Sequence, residues 1–463
     1  MLMIEMNRVR LLNGLERGRG KYVLYWVQGC VRLSHNDGLA FAAQEADRLK
    51  LPLVVYFGIS DEYPEASYRH YHVLLEGVLE LYEELRARGI RMVIAGISPE
   101  KGAVALGRDA ACIITDKAYV RHERQWRTFV ASHTEVPFYE VESNLLVPVE
   151  IASQKEEYSA YTLRRKIEPM ISYYAGDGAQ TQMEYRGPLY ADDLSLEDIR
   201  EERAELVLAH TAVDRSVDRV PAVTGGYTRA KEQLRDFIEN RLDGYSAYSG
   251  DPARDFSSNL SLYLHYGFIS PVEIYREVIG ADTPSVADFI EQLIVRRHLA
   301  FNFVYYNPLY DSFEGLPQWA KRTLSVHQED VRENLYTFSQ LEAGSTHDQY
   351  WNAAQKELRV TGTMHNYMRM YWGKKILEWS PTPAEAFDRA LKLNNRYQLD
   401  GRDPNGFTGV AWCFGKHDRP WSEREVFGQI RYMNDRGLKR KFDMERYLRK
   451  VDERCAGSRS LFG

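Results

Sequence analysis

The sequence has few cysteines and no long apolar stretch. Its 463 residues include four Cys, which are scattered and form neither a CxxC pair nor a spacing typical of zinc ligands. No segment approaches the roughly 18 consecutive apolar residues of a transmembrane helix, and the first residues lack the apolar core of a signal peptide. We therefore expect no disulfide framework, no metal site and no membrane association, in a cytoplasmic protein.

Two further absences narrow the functional classes. No GxGxxG motif follows the first predicted strand, so nothing there requires a dinucleotide. The net charge of −6 is not typical of a protein that binds nucleic acid over its whole surface. Residues 413–450, however, carry eleven Lys or Arg and six Asp or Glu, a local charge of +5. This segment predicts one basic face for a polyanion, and a solvated helix of mixed charge is the alternative.

The N-terminal part alternates apolar strands with amphipathic helices. This order predicts a doubly wound parallel α/β domain of the Rossmann-like type over residues 1–175. The predicted strands are 22–28, 51–58, 90–96, 110–116 and 136–141, and the predicted helices are 37–50, 68–88 and 119–132.

A linker and an all-helical region follow. Residues 176–226 mix turn formers with acids, apart from a short helix expected from Leu196 to His210, and predict an interdomain linker. Over residues 227–463 the strand alternation disappears, which predicts an all-helical domain with its site in the connecting segments. Its predicted helices are 227–242, 260–266, 271–279, 285–306, 329–342, 346–358, 363–378, 383–393 and 422–434.

The stretch from Asn394 to Trp421 is rich in carboxylates, aromatic rings and cationic side chains. We interpret it as too irregular for a helix, because DGRDPNG, residues 400–406, supplies two carboxylates and a proline-fixed turn. Aromatic and cationic side chains follow: Trp412, Phe414, Lys416, His417 and Arg419. Such a segment suits a site for a polar aromatic ligand and a phosphate-bearing partner. A surface turn whose aromatics belong to the core is the alternative.

This stretch and WNAAQKELRVTGTMHNYMRMYWGKKILEW, residues 351–379, resemble the flavin-binding domain of the photolyase and cryptochrome family. The phrases LDGRDPNG, GVAWCFGKHDRPW and FGQIRYMN are similar to the class II cyclobutane pyrimidine dimer photolyases. In the N-terminal half, RHYHVLLEGVLELYEELRARGI and ASQKEEYSAYTLRRKIEP carry the same resemblance. It implies an antenna-type α/β domain followed by a helical domain that binds FAD and DNA.

The resemblance implies that FAD binds in the helical domain and works as FADH−. In SSNLS, residues 257–261, hydroxyls and free N–H groups at a helix start suit a phosphate, and the family binds the FAD pyrophosphate there. An ordinary helix cap is the alternative. The implied FAD contacts are Tyr245, Ser257, Ser258, Asn259, Leu260, Ser261, Arg296, Asn366, Arg369, Asp400, Asp403 and Asn405.

Three of the residues in this region have roles implied at the flavin ring itself. Arg369 and Asp400 are expected to pair beside the ring, where a charge pair would stabilise reduced states electrostatically. Asn394 is expected to face flavin N5, where an amide can either donate or accept a hydrogen bond. A residue of a helix C-terminus is the alternative interpretation of Asn394.

Three tryptophans form the next group. Trp372 and Trp379 lie seven residues apart on one predicted helix, so they share a face and stand about 10 Å apart along the axis. Trp351 must approach from another segment. The resemblance implies that these rings carry an electron from the surface to the excited flavin, and core packing is the alternative.

The resemblance also implies a surface that binds DNA with a flipped pyrimidine dimer. Met370 and Trp412 match positions that provide the walls of the dimer pocket. Basic residues would hold phosphates and make the affinity salt-dependent. These residues are Arg419, Arg431, Lys439 and Arg440.

The segment FIEQLIVRRHLAFNF, residues 289–303, departs from the class II phrase EELIVRRELADNF. Gln292 stands where the family has a Glu that contacts the dimer and assists repair. An amide keeps hydrogen bonding but supplies neither a proton nor a charge, and Glu291 would point about 100° away on an α-helix. His298 and Phe301 each replace an acid, and Asn366 replaces a glycine in MHNYMRM.

The leading hypothesis is a light-driven DNA lyase that splits pyrimidine dimers by electron transfer from excited reduced FAD. The alternative is a cryptochrome-like blue-light photoreceptor with weak or no repair, which Gln292 favours, whereas KHDRPW and GLKRKF favour work on DNA. A flavoprotein with dark redox activity lacks a visible nicotinamide site. We expect a monomer, and an antenna chromophore such as a deazaflavin is an open expectation, since the sequence shows no motif for it.

Overall fold

The computed structural model describes residues 5–16, 18–176, 184, 196, 198–199, 201–209 and 211–459. Within these residues every strand lies between Val9 and Val141, and helices dominate the chain after them. The predicted order of an α/β part and an all-helical part is therefore confirmed. The boundaries predicted at residues 175 and 226 stay predictions, because much of the segment between them lies outside the described residues.

A six-stranded sheet forms the centre of the N-terminal part. Its strands are β1 (Val9–Leu11), β2 (Tyr22–Trp26), β3 (Leu53–Gly58), β4 (Arg91–Ala95), β5 (Ala110–Asp116) and β6 (Phe138–Val141), in the order β1-β6-β5-β2-β3-β4. All pairs are parallel except β1 with β6. The five predicted strands are confirmed. The antiparallel edge strand β1 was missed because three residues are too few to show an alternation.

Helices cover the sheet and continue beyond it. They are α1 (Asp37–Leu49), α2 (Tyr68–Ala87), α3 (Pro99–Gly107), α4 (Arg121–His133), α5 (Val149–Ala152), α6 (Ala160–Ile167), α7 (Ile171–Tyr174) and α8 (Ala204–Ala209), with 3₁₀ turns at Met6–Arg8 and Glu168–Met170. The helix predicted from Leu196 to His210 begins later than expected, and His210 lies outside the described residues. Ile199 instead donates its N–H to Ile94 O of β4 at 2.8 Å.

The rest of the chain is helical, as predicted. The helices are α9 (Tyr227–Asn240), α10 (Tyr245–Tyr248), α11 (Ser261–His265), α12 (Pro271–Ile279), α13 (Ser285–Ile290), α14 (Arg297–Tyr306), α15 (Gln318–Val326), α16 (Phe338–Ala343), α17 (Gln349–Thr361), α18 (Asn366–Trp379), α19 (Pro383–Tyr397), α20 (Pro404–Cys413), α21 (Asp435–Lys441) and α22 (Met444–Arg459). A 3₁₀ turn occupies Phe313–Gly315.

Two helix predictions in this region are wrong. The predicted helix 329–342 is irregular as far as residue 337, and only α16 forms at its end. The predicted helix 422–434 is a tight reversal, in which Arg424 and Gly428 form an isolated antiparallel bridge. Val426, with φ of 64°, lies inside this reversal, and a left-handed residue of that kind cannot continue an α-helix.

The interpretation of residues 394–421 as non-helical is also wrong, because α20 lies within them. Asp403 caps this helix by accepting a hydrogen bond from Asn405 N at 2.8 Å, and Pro404 is its first residue. These are ordinary helix-start signals. Gly401, Gly406 and Gly409 obscured them, since glycine lowers helix propensity.

Helices α13 and α14 are joined by a π-helical segment, Glu291–Arg296. Leu293, Ile294 and Val295 are buried in it, whereas Gln292 is exposed. A π-segment changes the angular spacing of side chains within a helix and is frequent at functional sites. The predicted helix 285–306 is therefore continuous, but its centre is not α-helical.

The α/β part packs directly on the helical part. The guanidinium of the buried Arg32 donates to Gly267 O at 2.9 Å and to Ser143 O at 2.6 Å. Gly267, with φ of 66°, lies so close that an added Cβ would stand 2.0 Å from Gly29 O. None of the described helices is long and apolar enough to span a bilayer.

Candidate active site

The turn before α20 is tied to α11 by a contact between the Asp403 carboxylate and the His265 imidazole. Asp403 Oδ2 lies 3.3 Å from His265 Nδ1, and its Oδ1 accepts from Asn405 N and from Asn405 Nδ2 at 2.7 Å. Burial opposes ionisation, but the hydrogen bond and charge of His265 and the charge of Arg297 hold the pKa of Asp403 below its usual value. His265 was not singled out from the sequence. Its partner lies 138 residues away.

Arg369 and Asp400 form the predicted pair. Arg369 Nη2 lies 3.2 Å from both carboxylate oxygens of Asp400, and its Nε donates to Met364 O at 3.1 Å. Both side chains are only partly buried. The pair therefore joins α18 to the turn before α20 while remaining accessible from outside.

Asn394 lies in the last turn of α19 and is buried, with 6% of its surface exposed. Its Nδ2 donates to Asn395 Oδ1 at 3.2 Å, so the side chain does not cap the helix. A Cβ added to Gly406 would stand 3.2 Å from Asn394 Nδ2. Glycine at this position lets α20 approach the amide closely.

The segment before α11 presents small polar groups outward. Ser257 O accepts from Arg241 Nη1 at 3.0 Å and Ser258 O accepts from Gln233 Nε2 at 2.8 Å, which anchors the backbone. Asn259, with φ of 57°, and Ser261 are exposed, and Leu260 is buried. The hydroxyl and amide groups at this helix start can therefore reach a ligand.

Further exposed polar groups stand at the starts of α18 and α20. Asn366 is the first residue of α18, and His365 caps that helix by accepting from Tyr367 N at 3.2 Å. Asn405 and Gly409 are exposed on α20, and an added Cβ on Gly409 would meet no atom within 4 Å. These positions border open space.

Tyr245 packs within the helical part. Its ring meets Phe289 edge-on at 5.5 Å and Phe237 at 5.7 Å. Burial raises the pKa of its hydroxyl to about 12. In this structure Tyr245 supports the α10–α13 contact, and its place in a ligand site stays a prediction.

The three tryptophans form one contiguous buried cluster. Trp351 stacks on Trp372 with ring centres 6.4 Å apart and planes 4° apart, and it meets Trp379 edge-on at 5.6 Å. Trp351 Nε1 donates to Trp372 O at 3.1 Å, and Trp372 Nε1 donates to Gln355 Oε1 at 2.8 Å. The ring order is therefore Trp372, Trp351, Trp379.

None of these three rings reaches the surface, contrary to the expected path from surface to flavin. Trp379 is only 1% exposed. Its ring meets the rings of Tyr336 and His347, each at 5.3 Å. Tyr336 is half-buried, its hydroxyl lies 2.6 Å from Nδ1 of the exposed His347, and this pair continues the cluster outward. No periodic pattern in the sequence indicates this Tyr336–His347 pair.

The π-helical segment faces α20 at Trp412. The guanidinium of Arg296 lies 5.6 Å from the Trp412 ring. Glu291 is held by Arg164 at 2.6 and 2.9 Å and by Arg296 at 3.1 Å. Its carboxylate is thus committed to arginines, and Gln292 is the exposed residue of the two.

Met370 lies where α18 meets α20. Its Sδ stands 3.9 Å from Cys413 Sγ, so it neighbours the last turn that carries Trp412. Both Met370 and Trp412 are half-buried. The structure therefore brings the two predicted dimer-pocket residues onto adjoining helices.

The basic residues divide into two groups. Arg419 and Arg431 flank the exposed Trp421 ring at 5.5 and 4.8 Å. Lys439 instead bonds Asp435 at 3.1 Å and lies 5.5 Å from the Tyr350 ring, and Arg440 is exposed beside it on α21. Trp421 was not singled out from the sequence, although its Arg-Pro-Trp context places a cation nearby.

Two departures from the class II phrase are parts of the core. His298 is 2% exposed; its Nδ1 donates to Ile294 O at 2.7 Å and its Nε2 accepts from Val147 N at 3.2 Å. Burial lowers its pKa to about 4, so the ring is neutral at pH 7. Phe301 packs edge-on against Tyr119 at 4.7 Å. Both residues fill the contact between the two parts of the chain.

Comparisons with known proteins agree with this architecture. The DNA photolyase family profile matches residues 23–175. A deoxyribodipyrimidine photo-lyase of Methanothermobacter thermautotrophicus is 46% identical over 451 residues, which cover 97% of this chain and 99% of that protein. The enzyme of the same name from Potorous tridactylus is 38% identical over 92% of this chain and 81% of its own.

Solved structures show the same fold at low sequence identity. A Synechocystis cryptochrome superposes with a TM-score of 0.71 at 17% identity, over 94% of this chain and 89% of that one. An archaeal photolyase from Sulfolobus tokodaii with two FAD molecules superposes with a TM-score of 0.69 at 18% identity, over 92% of this chain and 89% of that one. With full-length relatives well above 30% identity and this shared fold, the chain belongs to the DNA photolyase family.

Proposed function

We propose that the protein is a light-driven deoxyribodipyrimidine photo-lyase of the class II type. Relatives that carry this enzyme name match nearly the whole chain, at 46% identity in one case. The class assignment rests on the phrases LDGRDPNG, GVAWCFGKHDRPW and FGQIRYMN, which resemble class II. The substrate is a cyclobutane pyrimidine dimer in DNA.

The residues around the Arg369–Asp400 pair fit FAD. When bound as FADH−, FAD would supply the light-excited electron donor for the dimer. The exposed polar residues at the starts of α11, α18 and α20 suit its phosphates and hydroxyls. Arg369 and Asp400 would flank the flavin ring, with Asn394 at N5. Glycine at position 406 lets α20 pack close to the nitrogen of that amide. The contact set is Tyr245, Ser257, Ser258, Asn259, Leu260, Ser261, Arg296, Asn366, Asp403 and Asn405.

The tryptophan cluster would deliver electrons to this site. Trp372 and Arg369 lie three residues apart on α18, about 4.5 Å along the axis, so the cluster begins beside the pair. Trp351 links Trp372 to Trp379 without a gap larger than 6.4 Å between ring centres. The buried, stacked cluster, one ring of which shares α18 with Arg369, is the observation that carries the proposal.

The DNA surface would be centred on Gln292, Met370 and Trp412. Trp412 offers a flat ring and Met370 an apolar wall to a flipped dimer. Gln292 is exposed and able to hydrogen-bond a base. Arg419 and Arg431, arranged around Trp421, would contact phosphates, with Lys439 and Arg440 extending the basic surface.

The proposal is tested with photoreduced protein and single-stranded DNA containing a thymine dimer. Anaerobic illumination should restore thymine absorbance, while a dark control should not. Gln292→Glu should preserve or raise the rate of splitting. No splitting by FAD-loaded, photoreduced protein would favour the second candidate, a blue-light photoreceptor, which the missing carboxylate at Gln292 supports.

An antenna chromophore, such as a deazaflavin, is proposed for the region where the segments after β2 and β3 meet the start of α4. The Tyr63, His122 and Trp126 rings cluster there, with Tyr63 and His122 4.1 Å apart. Buried His122 Nε2 and Gln28 Nε2 have no partner among the described residues. Acid release of chromophores from purified protein, followed by fluorescence, should detect a second species besides FAD. A monomeric, cytoplasmic protein remains our expectation.

A further inference from the structure

A chain of side-chain amides connects the α/β part to Asn394. Asn394 Nδ2 donates to Asn395 Oδ1 at 3.2 Å, and Asn395 Nδ2 donates to Glu65 Oε2 at 2.5 Å. Asn395 Oδ1 also accepts from the backbone N–H of Arg402 at 3.1 Å. The Asn395 side chain is thus held at both its oxygen and its nitrogen.

The groups at the ends of this series of hydrogen bonds determine how both amides are oriented. Burial raises the pKa of Glu65 above its usual value, whereas the hydrogen bond from Asn395 favours the ionised carboxylate, which only accepts hydrogen bonds; the Arg402 backbone N–H only donates them. Asn395 must therefore turn its NH₂ to Glu65 and its oxygen to Arg402. The group of Asn394 that meets this oxygen must then be its own NH₂. The orientation of both amides follows from Glu65 and Arg402.

Both residues that provide these end groups have a left-handed backbone conformation. Glu65 has φ of 59° and Arg402 has φ of 62°, in the left-handed region that residues with a side chain adopt infrequently. Arg402 is buried, and its Nη1 donates to Asn395 O at 2.7 Å. Such strained positions persist when surrounding contacts over-determine them, and they cluster at functional sites.

We propose that Glu65 and Asn395 are positioning residues that make Asn394 present its carbonyl oxygen, rather than its NH₂, to the candidate site. Asn394 Nδ2 lies against Gly406, where an added Cβ would come within 3.2 Å. Within the described part of the chain no donor reaches Asn394 Oδ1, and this oxygen is not among the buried unpaired atoms. It therefore remains accessible from the open side.

This inference rests on the proposed function, in which Asn394 faces N5 of FAD. A carbonyl oxygen accepts a hydrogen bond from an N5 that carries hydrogen, as in reduced FAD. It opposes the lone pair that N5 carries in oxidised FAD. The fixed orientation therefore favours reduced FAD, whereas a free amide could turn its NH₂ to N5 and favour oxidised FAD.

Glu65→Gln tests the inference, because glutamine can donate as well as accept, so the variant removes one of the two groups that orient the amides and leaves only the Arg402 N–H. We expect the reduced-to-oxidised ratio of bound FAD at a fixed potential to fall about tenfold, or about 30 mV in the midpoint potential of a two-electron couple. Loss of the Glu65 charge alone would raise the potential, because the reduced form is the more negative one. The sign of the shift separates the two effects.

Three comparisons complete the experiment. Glu342→Gln is the matched control, since Glu342 accepts from Tyr397 of α19 at 2.9 Å, and it should leave the potential unchanged. Glu65→Ala, at an exposed residue, should shift the potential in the same direction as Glu65→Gln. In an Asn394→Ala background, Glu65→Gln should have no effect, because it acts through Asn394.

The FAD content of every variant is measured beside its potential. A fall in potential that disappears in the Asn394→Ala background supports the positioning role. A rise, no shift, or an equal shift in both backgrounds overturns it while FAD binding stands. Wild-type protein that holds no FAD would refute the proposed function and this inference together.

Discussion

Asp116, at the end of β5, and Asp400, in the turn before α20, are aspartates with opposite surroundings. Asp116 is fully buried and accepts from Gln28 N at 2.9 Å, from Gly29 N and from Tyr25 OH at 3.0 Å. Asp400 is partly exposed, and only Arg369 reaches it among the described residues. The carboxylate of Asp116 is saturated by donors of its own chain, whereas the carboxylate of Asp400 can accept further hydrogen bonds.

This difference separates residues that hold the fold from residues that can hold a ligand. A buried polar group satisfied by its own chain contributes to stability and has nothing left for a partner. A half-buried charge pair bordered by exposed amides and hydroxyls can still accept hydrogen bonds from a ligand. We therefore expect Asp116 to contribute to stability and Asp400 to ligand binding, and substitution can contradict each expectation.

The largest expected effect is that of Asp116→Ala on stability. Three donors would lose their acceptor, and at about 1–3 kcal/mol for an unsatisfied buried group the free energy of unfolding should fall on the order of 3 kcal/mol or more. Denaturant unfolding followed by circular dichroism measures this loss. FAD per folded chain should stay unchanged, and loss of FAD at unchanged stability would reverse the assignment.

Asp400→Ala should have the converse effect. Without its partner Arg369 should no longer order the site, and FAD affinity should fall at least about tenfold, or about 1.4 kcal/mol. The FAD-free protein should unfold within about 0.5 kcal/mol of the wild type. Absorbance of bound FAD after gel filtration measures the loss. Asp435→Ala, which removes a surface ion pair with Lys439, is the control and should retain FAD.

Two buried tryptophans extend the comparison to electron transfer. Trp351→Phe replaces the middle ring of the cluster by one that is much harder to oxidise, so photoreduction should slow at least about tenfold, equivalent to about 1.4 kcal/mol of barrier. Trp26→Phe makes the same change in the sheet, next to Phe138, and should not alter photoreduction. Illumination with an external donor, followed at the flavin absorption band, measures both. Equal rates in the two variants would remove the cluster from the pathway.

The smallest expected effect concerns the exposed arginines. Arg419→Ala and Arg431→Ala should each weaken DNA binding about equally across sequences and reduce the salt slope of the affinity by about 1. Arg121→Ala, which breaks a pair with Asp311 in the α/β part, is the control. Fluorescence anisotropy at several salt concentrations measures the slope. If neither Arg419→Ala nor Arg431→Ala changed the salt dependence of the affinity, the DNA would bind to another surface.

The sequence predicted best what depends on local pattern. The parallel strands are continuous apolar runs, as strands buried on both faces must be, and β2, β3 and β5 are buried throughout. The Trp372–Trp379 spacing placed two rings on one helix. Helix α20 was missed because three glycines masked the Asp403–Pro404 start signal.

What the sequence did not predict depends on contacts between distant segments. His265 meets Asp403 across 138 residues, and Glu65 meets Asn395 across 330. Neither pair has a periodic signal, because a tertiary contact of this kind leaves no mark on the local sequence. The resemblance named the residues that are expected at the flavin, but the groups that hold those residues emerged only from the structure.

The most direct test of the account compares wild-type protein with Asp400→Ala in light-driven splitting of a thymine dimer in single-stranded DNA. We predict that FAD-loaded, photoreduced wild type restores thymine absorbance in light and not in darkness. Asp400→Ala should split dimers only in proportion to the FAD that it retains. Wild-type protein that holds FAD and yet splits no dimer, or a flavin-free variant that splits dimers equally well, would contradict the account.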